Sequence, residues 1–327
     1  MSLNAYLESV TNPISEDVKL FRKELIQSLS SPFGLINSVI KYVTFKKGKQ
    51  LRPRLTLLSS RLCGEPTNMT YKAAALVEIL HVATLLHDDV VDDSEIRRGL
   101  PTVKRIWNNK IAVLIGDYMF SKALANIIHL KDFDALTVLS SAATRLSEGE
   151  LFQIEKALKK DMTEESYLKM VSDKTASLFY ASCKLGAITT TEDEEKREAL
   201  GRFGEKLGIA FQIRDDIFDI VGASIEIGKP TKFDLKKNKL TLPLIHIFES
   251  LNDTDRQSVK SKLRRHAKRN ELKEIRQFIL DHGGLDYAGQ RMKTLSEEAR
   301  LALDIFPDSP VKAIMFKILD FNLERTY

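Results

Sequence analysis

EILHVATLLHDDVVDDSEIRRG, residues Glu78 to Gly99, places four aspartates at the end of a greasy run. Ile79, Leu80, Val82, Ala83, Leu85 and Leu86 fill most of its first half, so Asp88, Asp89, Asp92 and Asp93 arrive at the C-terminal end of an apolar helix. On a helix, positions i and i+4 share a face one turn apart, which sets the carboxylates of Asp88 and Asp92 side by side with Asp89 flanking them. Four acids this close repel one another, and the helix dipole disfavours anions at that end. A positive partner is therefore expected. An oxygen-only ligand set suits a hard divalent cation such as Mg²⁺, which keeps waters and bridges to substrate phosphate. Taken alone, the cluster reads equally well as an acidic, solvated helix end.

Two further features favour a site. Arg97 and Arg98 follow within about a turn, and paired guanidinium groups suit phosphate oxygens. The arrangement also recurs at Asp215, Asp216 and Asp219 in GIAFQIRDDIFDIVG, again after an apolar run and again at i, i+1, i+4. One such cluster can be chance, whereas two argue for a shared site.

Outward from these clusters, helical periodicity dominates the 327 residues. Helices are expected over about 3–29, 33–46, 53–63, 70–93, 101–107, 111–129, 132–158, 163–188, 193–221, 241–250, 254–267, 270–282, 284–304 and 309–324, with Pro53 and Pro101 in first turns. Alternating β-type runs are almost absent, so the fold class is all-α. No long linker appears, and one bundle of about 12–14 helices over 1–327 is the simplest arrangement. Apolar residues make up 43% of the chain, ample material for a core.

The formal net charge of +5 conceals 50 basic and 45 acidic residues. That mixed surface suits a soluble protein that handles anions locally and does not by itself suggest nucleic acid. Cys63 and Cys183 show no ligand spacing and are read as reduced and packed, in a cytoplasmic protein. The N-terminus has neither a basic nor an apolar signal region. No run approaches the ~18 uninterrupted apolar residues of a membrane span.

Smaller motifs carry further candidates. Lys49 and Arg52 in GKQLRP lie at i, i+3 on a helix start and can clamp a second anion. Lys174 and Thr175 interrupt an apolar small-residue helix, where an inward lysine is costly without an anionic partner. His81 lies seven residues before Asp88, on almost the same face. Gly222 to Lys239 mixes Gly, Pro and five lysines directly after the second cluster, a candidate flap whose Lys229 and Lys239 close over an anion. In GRFGEKLG the glycines at 201, 204 and 208 have no strand before them, which favours close helix packing over a dinucleotide loop. The basic stretch from Arg256 to Arg276 reads as a solvated helical surface.

With these pieces in order, the chain resembles the all-trans polyprenyl diphosphate synthases, the isoprenoid chain-elongating enzymes. The resemblance runs through GKQLRP, HDDVVDD, RRG, GELFQ, KTA, FQIRDD, GKP and NKLTLP, in the family's order and over nearly the whole chain. It implies a homodimer of large all-α subunits, each a bundle around a deep central cavity, and a prenyltransferase acting on isopentenyl diphosphate and an allylic prenyl diphosphate. It also implies roles. Asp88 and Asp92, with Asp89 in support, look like ligands of two Mg²⁺ ions, and Asp215, with Asp216 and Asp219, like the site of a third. Arg97, Lys174, Lys229 and Lys239 match contacts to the allylic diphosphate. Lys49, Arg52, His81 and Arg98 match the isopentenyl diphosphate site, and Thr175 and Gln212 match positions near the reacting carbons. Gln153 matches a pocket position. Lys232 and Asn238 depart from the family's glycines in the flap.

In that family, the residues four and five before the first motif aspartate set the depth available to the growing chain. Here they are Thr84 and Ala83, both small, which implies a medium- or long-chain product, longer than C20 and near C40. A floor is expected deeper, from Leu80, Leu76 and a facing helix with Met119, Phe120 and Ala123. A short-chain synthase, a class I terpene cyclase and a non-catalytic subunit of a heteromeric synthase are the competing readings. The cyclase would lack a use for GKQLRP, and a non-catalytic subunit would be expected to lose acidic ligands.

Overall fold

The computed structural model describes residues 3–45, 49–97, 99–159, 161–222, 240–251 and 269–324. Among them are fifteen α-helices and one two-residue-stranded hairpin, an all-α fold as the periodicity predicts. The helices fall into two compact units.

The first unit comprises Met1–Ala143, Leu178–Gly204 and Leu303–Lys317. It holds α1 (Leu3–Val10), α2 (Ser15–Ser28), α3 (Gly34–Phe45), α4 (Leu51–Cys63), α5 (Asn68–Val91), α6 (Val103–Ile106) and α7 (Asn109–Ile128). α1 and α2 correct the single helix expected over 3–29. Pro13, which has no N–H to donate, sits in a 3₁₀ turn, Asn12–Ile14, between them.

α5 is the spine of this unit and packs against α2, α4 and α7. A capping box starts it. The Thr67 hydroxyl accepts from the Met69 N–H at 3.2 Å, and the Thr67 N–H donates to the Thr70 hydroxyl at 3.0 Å. Ala73 to Val77, Ile79, Leu80 and Ala83 are buried, and each large aliphatic side chain so removed from water contributes about 1.5–3 kcal/mol. The helix stops at Asp93, whose φ of 51° is left-handed. The Asp93 N–H bonds the Val90 carbonyl at 3.2 Å and the Ser94 N–H the Asp89 carbonyl at 2.9 Å, the two bonds of a Schellman stop. Aspartate tolerates this backbone better than most side chains.

Beyond the stop, β1 (Ile96–Arg97) pairs antiparallel with β2 (Leu100–Pro101) through Gly99, whose φ is 74°. Pro101 thus belongs to a strand rather than to the first turn of a helix, and α6 begins only after Thr102. α7 is, among the described residues, the one helix long and apolar enough to cross a membrane by length and composition. Asp117 and Lys122 interrupt its apolar run, and Met119 and Ala123 are buried where it packs along α5.

The second unit comprises Thr144–Ser177, Glu205–Ala302 and Ile318–Tyr327. It takes the later part of α8 (Phe133–Lys159), α9 (Glu164–Val171), most of α11 (Glu194–Gly222), α12 (Leu242–Ser250), α13 (Arg269–Asp281), α14 (Gly284–Ala302) and the end of α15 (Pro310–Glu324). Its core joins Tyr167, Ile209, Ile213, Ile217, Ile245 and Met292. The helix expected over 163–188 is interrupted: α9 passes through a π-turn, Ser172–Ala176, into α10 (Ser177–Ile188).

Candidate active site

In the first unit, the four acids at the end of α5 divide into two kinds. Asp89 is buried, and the Arg97 Nε donates to its Oδ1 at 2.7 Å. Asp93 is exposed and pairs with the ammonium of Lys104, whose side chain is itself buried. The positive partners expected for the cluster are therefore supplied partly from the hairpin and α6, and they pin this segment to the helix end. Asp88 and Asp92 share the adjoining face, half-buried and one turn apart, with the Asp92 N–H bonded to the Asp88 carbonyl at 2.8 Å.

The same face continues down α5 through Thr84 and His81, both half-buried. The Thr84 hydroxyl is spent on the His81 carbonyl at 2.8 Å, while Ala83 beside it is fully buried. An Arg52 Nη1 lies 3.2 Å from the His81 Nε2, and its guanidinium stacks on the Phe179 ring, 4.5 Å from the centroid. The structure thus brings Arg52 and His81 together, with half-buried Lys49 just ahead of α4. Of the expected floor, Leu76, Leu80, Met119 and Ala123 are buried, and Phe120 stacks on His87 with ring centroids 5.8 Å apart. Arg98 lies outside the described residues.

The second unit carries the remaining candidates on the π-turn and α11. Widening by one residue at Ser172–Ala176, with the Ser177 N–H reaching back to the Ser172 carbonyl, turns Lys174 and Thr175 out of the helical register. Such turns occur often at functional sites. The Thr175 hydroxyl donates to the Gln212 Oε1 at 3.0 Å, and the Gln212 Nε2 to the Asp216 Oδ1 at 3.0 Å. The other oxygen of Asp216 accepts from the Tyr167 hydroxyl at 2.6 Å. Burial, and then the Asp216 carboxylate, push the Tyr167 phenol well above its ordinary pKa, so it stays a donor. Asp216 is consequently a fixed, buried acceptor. Asp215 is half-buried and Asp219 exposed, one turn apart on α11.

Lys174 finds the anionic partner that its position requires. Its ammonium pairs with Glu150 and donates to the Gln153 Oε1 at 2.7 Å. Both partners lie on α8, and α8 can approach because residue 149 is glycine. A Cβ there would stand 2.6 Å from the Lys174 backbone nitrogen. Sequence reasoning misses Tyr167 and Glu150: Glu150 shows only as the neighbour of the glycine in GELFQ, and Tyr167 carries no spacing signal.

Among the described residues, no three His, Cys, Asp or Glu side chains converge as a ready-made metal centre. The pairs Asp88/Asp92 and Asp215/Asp219 fit a looser mode, in which one or two carboxylates hold a hard cation and water or phosphate completes the shell, as Mg²⁺ prefers. Neither cysteine fits a nucleophilic role: burial raises the Cys63 thiol to about 11 and the Cys183 thiol to about 12. Gly201 and Gly204 are packing glycines, since Cβ atoms would come within 2.6 Å of the Tyr180 ring and 2.4 Å of the Phe179 carbonyl. Lys229, Lys232, Asn238, Lys239 and the expected helix 254–267 lie outside the described residues.

Residues 34–279 match the protein family described as polyprenyl synthetase. The chain is 34% identical over 322 residues to the all-trans-nonaprenyl-diphosphate synthase (geranyl-diphosphate specific) of Rhodobacter capsulatus, covering 98% of each chain. It is 31% identical over 319 residues to the octaprenyl diphosphate synthase of Escherichia coli, covering 98% of this chain and 99% of that one. Among solved structures, a decaprenyl diphosphate synthase from Rhodobacter capsulatus superposes with a TM-score of 0.92 at 33% identity, covering 97% of this chain and 98% of that one.

Proposed function

Since the chain belongs to the polyprenyl synthetase family and is a prenyltransferase, we propose that it condenses isopentenyl diphosphate with an allylic prenyl diphosphate to make an all-trans product longer than C20, near C40. The observation that carries this reading is the half-buried face of α5, where Asp88 stands one turn and Asp92 two turns above Thr84 and fully buried Ala83. Carboxylates that suit a metal-bound diphosphate thus stand above small side chains, where an aromatic would stop a growing tail short.

The roles follow from charge. Asp88 and Asp92 hold two Mg²⁺ ions and Asp215, with Asp219, a third, while Asp89 keeps Arg97 oriented toward the allylic diphosphate. Bound Mg²⁺ supplies positive charge to the diphosphate as the allylic C–O bond breaks. Lys174, Lys229 and Lys239 add to that charge on the leaving group. Glu150 and Gln153 hold the Lys174 ammonium in place, and a diphosphate carries more charge than the Glu150 carboxylate with which it competes. Lys49, Arg52, His81 and Arg98 seat isopentenyl diphosphate, whose double bond attacks the cation. Thr175 and Gln212 lie near the reacting carbons, and loss of a proton to the departed diphosphate restores the alkene. No side-chain nucleophile is needed.

We take 1–327 as a single catalytic domain, supported by the family match from 34 to 279, which includes residues of both compact units. The enzyme is proposed to act as a cytoplasmic homodimer. Purified protein incubated with Mg²⁺, a C15 allylic diphosphate and isopentenyl diphosphate should yield long polyprenyl diphosphates by chromatography, and chelation of Mg²⁺ should stop the reaction. C20 or shorter products would establish the short-chain reading, and no condensation at all the non-catalytic one. Cyclic hydrocarbons from the allylic substrate alone would point to a cyclase.

A further inference from the structure

Behind the π-turn lies a charged network that the proposed chemistry does not use. The Arg145 Nε donates to the Asp173 Oδ1 at 2.8 Å, and its Nη2 donates to the Ser172 Oγ at 2.8 Å and the Glu205 Oε1 at 2.9 Å. The Ser172 hydroxyl donates to the same Glu205 oxygen at 2.7 Å, and the Lys169 ammonium to the Asp173 Oδ2 at 2.8 Å. Two cations face two carboxylates, so the set is neutral and its guanidinium is already committed to carboxylates. It is not a further anion site.

Its placement is informative. Ser172 and Asp173 are the first two residues of the π-turn, and Lys174 and Thr175 are the next two. Arg145, Gly149 and Gln153 recur every four residues along α8, so one helix face supplies the clamp on the turn's entry, the close approach beside Lys174, and the partner of its ammonium. At the other end, the Ser177 hydroxyl donates to the Asp173 carbonyl at 2.5 Å. An extra residue in a helix loosens the backbone ladder, and these bonds restrain it.

An apolar set of similar volume would pack at least as stably as partly buried ion pairs, so stability alone does not account for the network. We propose that Arg145, held by Asp173 and Glu205, is a positioning residue that fixes the π-turn and thereby aims the Lys174 ammonium and the Thr175 hydroxyl. This rests on the reading of the chain as a prenyl diphosphate synthase that uses Lys174.

The test is a double-mutant cycle in the full-length protein. Arg145→Ala should lower kcat by about tenfold to a hundredfold, the scale of a misplaced catalytic group, and leave the KM for isopentenyl diphosphate unchanged. In a Lys174→Ala background the same substitution should cost less than about twofold, because the group it aims is gone. Arg145→Lys, which can serve only part of the fork, should fall between wild type and Arg145→Ala. Independently of activity, acetylation of Lys174 by acetic anhydride, followed by peptide mass spectrometry, should accelerate several-fold in Arg145→Ala. If Arg145→Ala does not fold, Glu205→Gln keeps the shape, removes one anchor and enters the same cycle. Equal losses in both backgrounds, or unchanged labelling of Lys174, would overturn the proposal. Faster labelling in a protein whose wild type makes no polyprenyl product would uphold the clamp and overturn the enzymatic reading instead.

Discussion

Gly149→Ala separates the stability of the second unit from its activity. The added Cβ would stand 2.6 Å from the Lys174 nitrogen, 3.0 Å from its Cα and 3.1 Å from the Asp173 carbonyl carbon, all backbone atoms that no rotamer change can move. Ordinary contact begins near 3.4 Å, so the π-turn or α8 must shift by about 0.8 Å. Overpacking of this kind costs about 1–3 kcal/mol. Replacing glycine by alanine inside a helix returns about 0.8–1 kcal/mol. The net loss is about 0–2 kcal/mol, a fall in Tm of several degrees at most for a chain of this size. The effect on chemistry should be larger, since a displacement near 1 Å at a reacting group costs about 10²-fold in rate. The assay pairs thermal unfolding with steady-state condensation of isopentenyl diphosphate. A folded Gly149→Ala enzyme with wild-type kcat would show that the seat of Lys174 on the π-turn is immaterial, and the reasoning would fail.

Other consequences follow from single contacts. Ala83→Phe or Ala83→Tyr places an aromatic ring at a fully buried position five residues, about 7.5 Å of helix, below Asp88; products should shorten, and an unaltered chromatographic profile would count against the assignment. Tyr167→Phe removes the donor to Asp216; about 1–3 kcal/mol of stability should be lost in denaturant titrations, because the buried carboxylate keeps its desolvation and loses a bond. Burial pushes the Asp173 carboxyl up, but hydrogen bonds from Lys169 and Arg145 outweigh it and hold the group below the ordinary range. Its stabilisation is therefore complete above the unfolded pKa of about 3.9 and is lost as pH falls through the lower folded value. Asp173→Asn should lower the unfolding midpoint at pH 7, and its deficit should shrink in acid below pH 4.

Much of this architecture was legible because the signals are local. The apolar run before Asp88 predicts α5, and the i, i+4 rule places Asp88 and Asp92 together without any knowledge of packing. The demand for positive partners was legible too, though not which acids receive them. Asp89 takes Arg97 and Asp93 takes Lys104 because the Schellman stop turns the chain back over one side of α5, and aspartate at a left-handed position is a weak sequence signal. Proline suits a first helical turn, so the sequence points Pro101 into a helix; strand pairing with Ile96 prevails instead. The π-turn left only an indirect trace in the sequence, a lysine and threonine in an apolar helix. The contacts made to it by Gly149 and Arg145 come from more than twenty residues away on α8, and such tertiary contacts have no periodicity to read.

The most direct measurement is the condensation rate at saturating Mg²⁺ and substrates for wild type, for Asp88→Ala/Asp92→Ala and for Asp215→Ala/Asp219→Ala, each verified as folded. Both double variants are expected to lose at least about 10²–10³-fold, the scale of removing one element of electrostatic stabilisation from the departing group. Full-speed condensation by either would contradict the assignment of both carboxylate pairs to the diphosphate chemistry.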